Sequence, residues 1–245
     1  MDSRESGRCR PLASSFVRVM ASVTRSYRSV RRCVLLALAL TALSAANAQE
    51  LLWPHEAPGD WLLAFVDVET TGLLPGHHEM IDIGIVITDL DGAELDELFV
   101  RIQPEHPERT SEGARAVNAF DEDRWRELGA LSTDAAISRI VGFHKEIAGD
   151  RNVLMVAFNS HFDASFLDQL FRSRDRSWRE LYHYFIMDLP SMAWSLGIRS
   201  LTGTSIAATL GIEDEPHVAD LHTGITGARL NAGIYRALLA YTDTE

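Results

Sequence analysis

The chain has 245 residues, 46% of them apolar and 24% charged, an ordinary globular composition that excludes collagen-like, disulfide-framework and wholly disordered classes. Charge is divided unevenly: residues 1–48 hold eight arginines and two acids, net +6, whereas the remaining 197 hold 15 basic and 33 acidic residues, net −18. So acidic a body repels polyphosphate at long range, and a nucleic-acid partner would have to be held locally, with help from cations, rather than along a broad basic face.

Arg25, Arg28, Arg31 and Arg32 precede an apolar run at 34–40 that continues to Ala45 and ends in Ala46-Asn47-Ala48. Basic, then apolar, then A-x-A is the order of a secretory signal peptide over 1–48, cleaved after Ala48, with Met20 as an alternative start. The apolar run is too short to span a bilayer comfortably, so no permanent membrane anchor is expected. The expectation is export to the periplasm or beyond; the alternative is a disordered leader on a cytoplasmic protein. Both cysteines, Cys9 and Cys33, lie in this leader, which leaves the body without a disulfide or a thiolate metal site.

The body divides into a linker at 49–61, one domain at 62–240 and a tail at 241–245, a size that suits a single core. Its first predicted strand, 62–66, is continuously apolar, as expected of a strand covered on both faces. A second strand at 81–88, a turn at Asp91-Gly92 and a third strand at 95–102 complete a meander. Ile137, Ile140, Val141 and Ile147 recur at helical spacing and predict a helix over 133–148. A buried strand at 153–157, a helix at 162–171 and a short strand at 185–187 follow. Helices at 189–196, 204–210 and 225–239 close the chain. Three strands followed by alternating α and β predict an α/β sandwich with a mixed sheet.

Strand side chains alternate, so Asp67 and Glu69, ending the first strand in Asp67-Val68-Glu69-Thr70-Thr71-Gly72, share one face. Like charges held together out of water need a proton or a cation between them, and hard oxygen ligands suit Mg²⁺ or Mn²⁺. The alternative is an exposed acidic turn closed by Gly72. Asp163, in Phe158-Asn159-Ser160-His161-Phe162-Asp163, falls in register with Phe166, Leu167 and Leu170 and therefore on the apolar stripe of its helix. It is either a third metal carboxylate or, at S-x-x-D spacing from Ser160, half of a capping box. His222, just before the last helix, is placed to reach over a site with a near-neutral pKa that suits removal of a proton from water, or is an ordinary surface histidine. His217 and His222 lack a clear third ligand for zinc.

In their order and spacing these motifs resemble the DEDDh 3′–5′ exonucleases of the ribonuclease H-like superfamily, the group of ribonuclease T, oligoribonuclease and proofreading exonucleases. The resemblance covers roughly 62–240, with weaker agreements at Ala116-Val117-Asn118, at Asp188 with Met192-Ala193-Trp194, and at Leu210-Gly211-Ile212. It implies an exonuclease domain folded as a ribonuclease H-like three-layer α/β sandwich with a mixed five-stranded sheet. Two Mg²⁺ or Mn²⁺ ions would be held by Asp67, Glu69 and Asp163, with His222 taking the proton of the attacking water. Thr70, Thr71, Gly72, Leu73 and Asn159 would bind the 3′-terminal nucleotide of a single-stranded or short DNA or RNA end, releasing nucleoside 5′-monophosphates. Relatives of the ribonuclease T type often pair, which leaves a homodimer open.

One departure stands out. The family pattern places an aspartate five residues after the histidine, where this chain has Gly227. Loss of that acid should weaken one of the two cation sites, with a water or Glu213, Asp214, Glu215 or Asp220 as substitutes. The alternative function is a catalytically impaired module that keeps the fold and binds nucleotides or a protein. Arg172, Arg174, Arg176 and Arg179 form a basic run that either meets the strand's phosphates or is a solvated face.

Overall fold

The computed structural model describes residues 51–241. The leader, the first two linker residues and all but the first residue of the tail lie outside these, and Trp53 onward forms one compact unit.

Ten residues, Trp61–Thr70, form β1, whose side chains are nearly all buried. Continuous apolarity makes it the central strand. The sheet runs β3-β2-β1-β4-β5, with β2 at Met80–Thr88, β3 at Glu94–Arg101, β4 at Asn152–Ala157 and β5 at Ile186–Asp188. Strands β1, β2 and β3 pair antiparallel, whereas β4 runs parallel to β1 and β5 parallel to β4. The mixed sheet anticipated from element order is thus present.

Alternation along β1 feeds two cores. Leu62, Ala64, Val66 and Val68 point to one face, where α3 (Thr133–Ala148) and α4 (His161–Arg172) bury Ile137, Ile140, Phe166 and Leu167. Leu63 and Phe65 point to the other, covered by α5 (Leu189–Ser195), α6 (Gly203–Leu210) and α7 (Gly224–Ala240). Helix, sheet, helix is the three-layer sandwich. No helix among the described residues is long and apolar enough to cross a membrane.

Two short helices escape sequence periodicity: α1 at Glu112–Asn118 and α2 at Glu122–Glu127. Each buries a single side chain, Asn118 or Trp125, so neither has an apolar stripe to read. Ser111 and Asp121 cap them by accepting from the backbone amides of Ala114 and Arg124, in keeping with the N-cap preference for these residues.

Helix α7 lies unusually close to the sheet. A Cβ on Gly84 of β2 would fall on the backbone of Gly224 and Ile225, and one on Gly224 would lie 2.6 Å from the Asp67 carbonyl oxygen. Two facing glycines permit this approach. It is fastened by the Gly224 amide donating to Asp82 Oδ1 at 2.9 Å and the Asn231 amide donating to the Val66 carbonyl at 3.1 Å. The segment just before α7, which carries His222, is thereby set over the end of β1.

Candidate active site

Pairing between β1 and β4 ends at Phe65 and Val156, while β1 runs on to Thr70. Past that point the β4-facing edge of β1 is open, in the crevice beyond the carboxyl ends of parallel strands where α/β sheets place ligands. A cavity of about 480 Å³ lies there, lined by Asp67, Glu69, Thr70, Gly72, Leu73, Asn118, Asn159, Asp163, Glu215 and His222, with Val117, Phe158 and Phe162 among its apolar walls.

The chain leaves β4 through Asn159, in the left-handed region at φ 64°, and turns into α4. Its first turn brings in Asp163, which is 2% exposed and accepts from the Val68 amide at 3.1 Å. Asp163 thus satisfies a donor on the open edge of β1. Ser160 makes no side-chain cap, so the capping-box alternative is not formed; its amide donates instead to Asp188 Oδ1 at 3.1 Å.

Glu69 is held at both oxygens. Oε2 accepts from the Asn118 side-chain amide at 3.1 Å, and Oε1 lies 3.0 Å from His222 Nε2. Asn118 also donates to the Thr70 carbonyl at 3.0 Å. Across the strand pair, Glu69 stands opposite Asp82, which is fully buried on the same face with Oδ2 lacking a hydrogen-bond partner.

Electrostatics follow from this crowding. Burial first, then Asp163, Glu69, Glu215 and Asp82, push the Asp67 carboxyl well above the ordinary range. Burial raises Asp163 likewise, against hydrogen bonds from its own amide and that of Val68. Asp82 is pushed up to about 7, chiefly by burial and then by Glu69. His222 moves the same way for the opposite reason: its hydrogen bond to Glu69, with the charges of Glu69 and Glu215, raises it to about 9 despite desolvation. The near-neutral value expected from its position before a helix is therefore corrected, because two glutamates flank the ring.

Asp67, Glu69, Asp163 and His222, more than 150 residues apart at the extremes, are brought to one cavity. Thr70, Gly72, Leu73 and Asn159 line it too. Thr71 does not: it is fully buried and its hydroxyl accepts from the Glu79 amide at 2.9 Å. Sequence reading did not single out Asp82, although an acid within the otherwise apolar run of β2 was a visible signal. The basic run is a set of ion pairs and contacts: Arg172 with Asp168, Arg174 with Glu105 and Asp134, Arg176 with Glu180, and Arg179 over the Tyr184 ring. It is a solvated face.

A divalent cation suits the donor set. The lining holds four carboxylates and one imidazole but no lysine or arginine, and burial disfavours that much uncompensated negative charge. As they stand, no three His, Cys, Asp or Glu side chains among the described residues are arranged to hold one ion. The donors are gathered but not closed on a common point.

Fold and cleft together define a class: a ribonuclease H-like α/β domain with an acidic cleft at the end of its central strand. Solved structures bear out the fold. The nuclease domain of 3′hExo, a DEDDh family member bound to rAMP, matches with a TM-score of 0.60 at 15% identity over 73% of this chain and 92% of that one. The zinc-bound complex of Escherichia coli exonuclease I with single-stranded DNA matches with a TM-score of 0.60 at 15% identity, over 73% and 40%. Exonuclease I from Methylocaldum szegediense gives 0.59 at 17%, over 73% and 40%. The chain thus spans about two fifths of the length of exonuclease I and nearly all of the 3′hExo nuclease domain. No protein-family model and no curated protein matches the sequence.

Proposed function

We propose that the protein is a metal-dependent 3′–5′ exonuclease that hydrolyses the terminal phosphodiester of single-stranded or short nucleic acid and releases nucleoside 5′-monophosphates. The observation that carries this reading is the cavity itself, where Asp67, Glu69, Asp163 and Glu215 converge with His222 and no lysine or arginine. Asp67, Glu69 and Asp163 would hold Mg²⁺ or Mn²⁺. Such ions, when bound, activate water and stabilise the leaving 3′ oxygen.

The chain's own side chains do the rest. Asn118 fixes the Glu69 carboxylate, and His222, against Glu69, is the group placed to hold or accept a proton. Leu73 and Val117, 78% and 52% exposed, present apolar surface to a terminal base at the mouth of the cleft, with Phe158 and Phe162 behind them. An acidic body with its basic run tied up in ion pairs favours short or frayed ends over long duplex. The basic-apolar-A-x-A order of 1–48 supports export, and N-terminal sequencing of the secreted protein should begin at Gln49; an N-terminus retained at Met1 or Met20 argues for the cytoplasm.

The test is hydrolysis of the p-nitrophenyl ester of thymidine 5′-monophosphate with Mn²⁺ and with EDTA, followed by 5′-labelled DNA and RNA oligonucleotides to read direction. Release that needs Mn²⁺ and disappears in Asp67→Ala is expected. No metal-dependent release from the wild-type chain would leave the alternative module that binds without cutting.

A further inference from the structure

Gly227 leaves α7 without a side chain where the helix faces the cleft, and the structure shows what occupies that space. A Cβ on Gly227 would fall on the carboxyl group of Asp67. Asp67 therefore lies against bare helix backbone, and an acid at 227 would exclude it from its present place.

Another carboxylate enters from the segment between α6 and α7. Four acids in or near it could do so, and their contacts separate them. Asp214 bonds His217 Nε2 at 2.8 Å, Asp220 pairs with Arg124 at 2.7 Å, and Glu213 lines only a surface pocket beside Arg229 and Arg236 that Glu215 also borders. Glu215 alone of the four lines the cleft with Asp67, Glu69 and Asp163. Its Oε2 lies 3.4 Å from His222 Nδ1 and 3.3 Å from the Thr226 hydroxyl, so the side chain sits over the first turn of α7.

We propose that Glu215 is the fourth carboxylate of the cleft and a ligand for its divalent cations, in place of the side chain that Gly227 lacks. The proposal rests on the reading of the cleft as a metal-dependent nuclease site. A further uncompensated acid stands behind the cleft. Asp82, fully buried beside Glu69, keeps Oδ2 without a donor, and such an atom needs an explanation in a native structure. Arg101 stands across from it on β3, but its guanidinium stacks on Phe99 and Trp125 and no ion pair between the two forms. Adding Glu215 supplies the hard oxygen donors that divalent ions prefer; its charge is felt at Asp67, which it faces across the cleft.

Isothermal titration of Mn²⁺ into the full chain tests this, with Glu215→Gln against wild type, Asp67→Asn and Glu213→Gln. Wild type should bind, Glu213→Gln should match it within about twofold, and Glu215→Gln should lose a bound ion or bind about tenfold or more weakly. Melting in EDTA provides the folding control: Glu215→Gln removes a like charge from the cleft and should melt at or above the wild-type temperature, yet gain less from added Mn²⁺. If Glu215→Gln binds Mn²⁺ like wild type while Asp67→Asn does not, the assignment of Glu215 is wrong and the nuclease reading stands. If wild type binds no Mn²⁺, both fail.

Discussion

Asn118 offers the sharpest test of how the cleft is built. At 2% exposure it ends α1, and its side chain makes three hydrogen bonds: to Glu69 Oε2 at 3.1 Å, to the Thr70 carbonyl at 3.0 Å, and from the Phe120 amide at 3.1 Å. Asn118→Ala removes all three. A bond to a carboxylate contributes about 1.5–3 kcal/mol and a neutral one about 1, so the expected loss is about 4 kcal/mol, a large part of the roughly 5–15 kcal/mol that keeps a domain folded. Urea unfolding in EDTA reads this directly. Glu69 would retain only its His222 contact, so kcat for Mn²⁺-dependent hydrolysis should fall about tenfold or more, with KM changed far less. Asn118→Asp should be worse than Asn118→Ala, since it sets a second carboxylate against Glu69. Stability within about 1 kcal/mol of wild type and an unchanged kcat for Asn118→Ala would refute the assignment of Asn118 as the clamp on Glu69.

Two further outcomes follow from the packing. His144, on α3, has Nδ1 on the Ile140 carbonyl at 2.9 Å, Nε2 without a partner, and its ring edge-on to Tyr182 at 4.9 Å; burial lowers its pKa from 6.5 to about 4. Folded chains keep it neutral while unfolded chains protonate it, so its stability contribution is complete above 6.5 and is lost as pH falls toward 4, a loss on the order of 3 kcal/mol. His144→Leu should flatten urea stability over that window by this amount, and an unchanged acid slope would count against it. Gly84→Ala drives a methyl into the backbone of Gly224 and Ile225, which cannot rotate aside as a side chain could. Overpacking of this kind costs about 1–3 kcal/mol, and lifting α7 should impair hydrolysis as well; a wild-type melting temperature would contradict the close approach.

What was legible in the sequence, and what was not, follows from the range of the forces involved. Continuous apolar runs marked β1, β2 and β4, and a helical repeat marked α3, because a long buried element stamps its period on the chain. Helices α1 and α2, with seven and six residues and one buried side chain each, had no period to show. In the site, alternation placed Asp67 and Glu69 on one face, and the apolar stripe of α4 placed Asp163 toward the sheet. Four acids near Gly227 looked equivalent; their separation depends on partners far away, such as Arg124 for Asp220. Asp82 supports α7 across 142 residues, and no local pattern reports such a contact. Nor did sequence foresee the shift at His222, which arises from Glu69 and Glu215 converging on one ring.

The charges in the cleft have a single physical cause. Desolvation and mutual repulsion raise Asp67, Asp163 and Asp82, and the same negative field raises His222. Acids that would rather hold protons and an imidazole that would rather keep one are complementary signs of too little positive charge. A lysine or arginine within the lining would have relieved it permanently, and would also have attracted phosphate without discrimination. Because the lining contains neither, and because the body carries a net −18, a phosphodiester approaching this cleft meets repulsion at every distance unless a mobile cation intervenes. Divalent ions therefore do two things in the proposed site: they offset the repulsion among its carboxylates, and they make phosphate binding conditional on their presence. Gly227 gives Asp67 room against α7, and the proposed ligand Glu215 would restore the donor count.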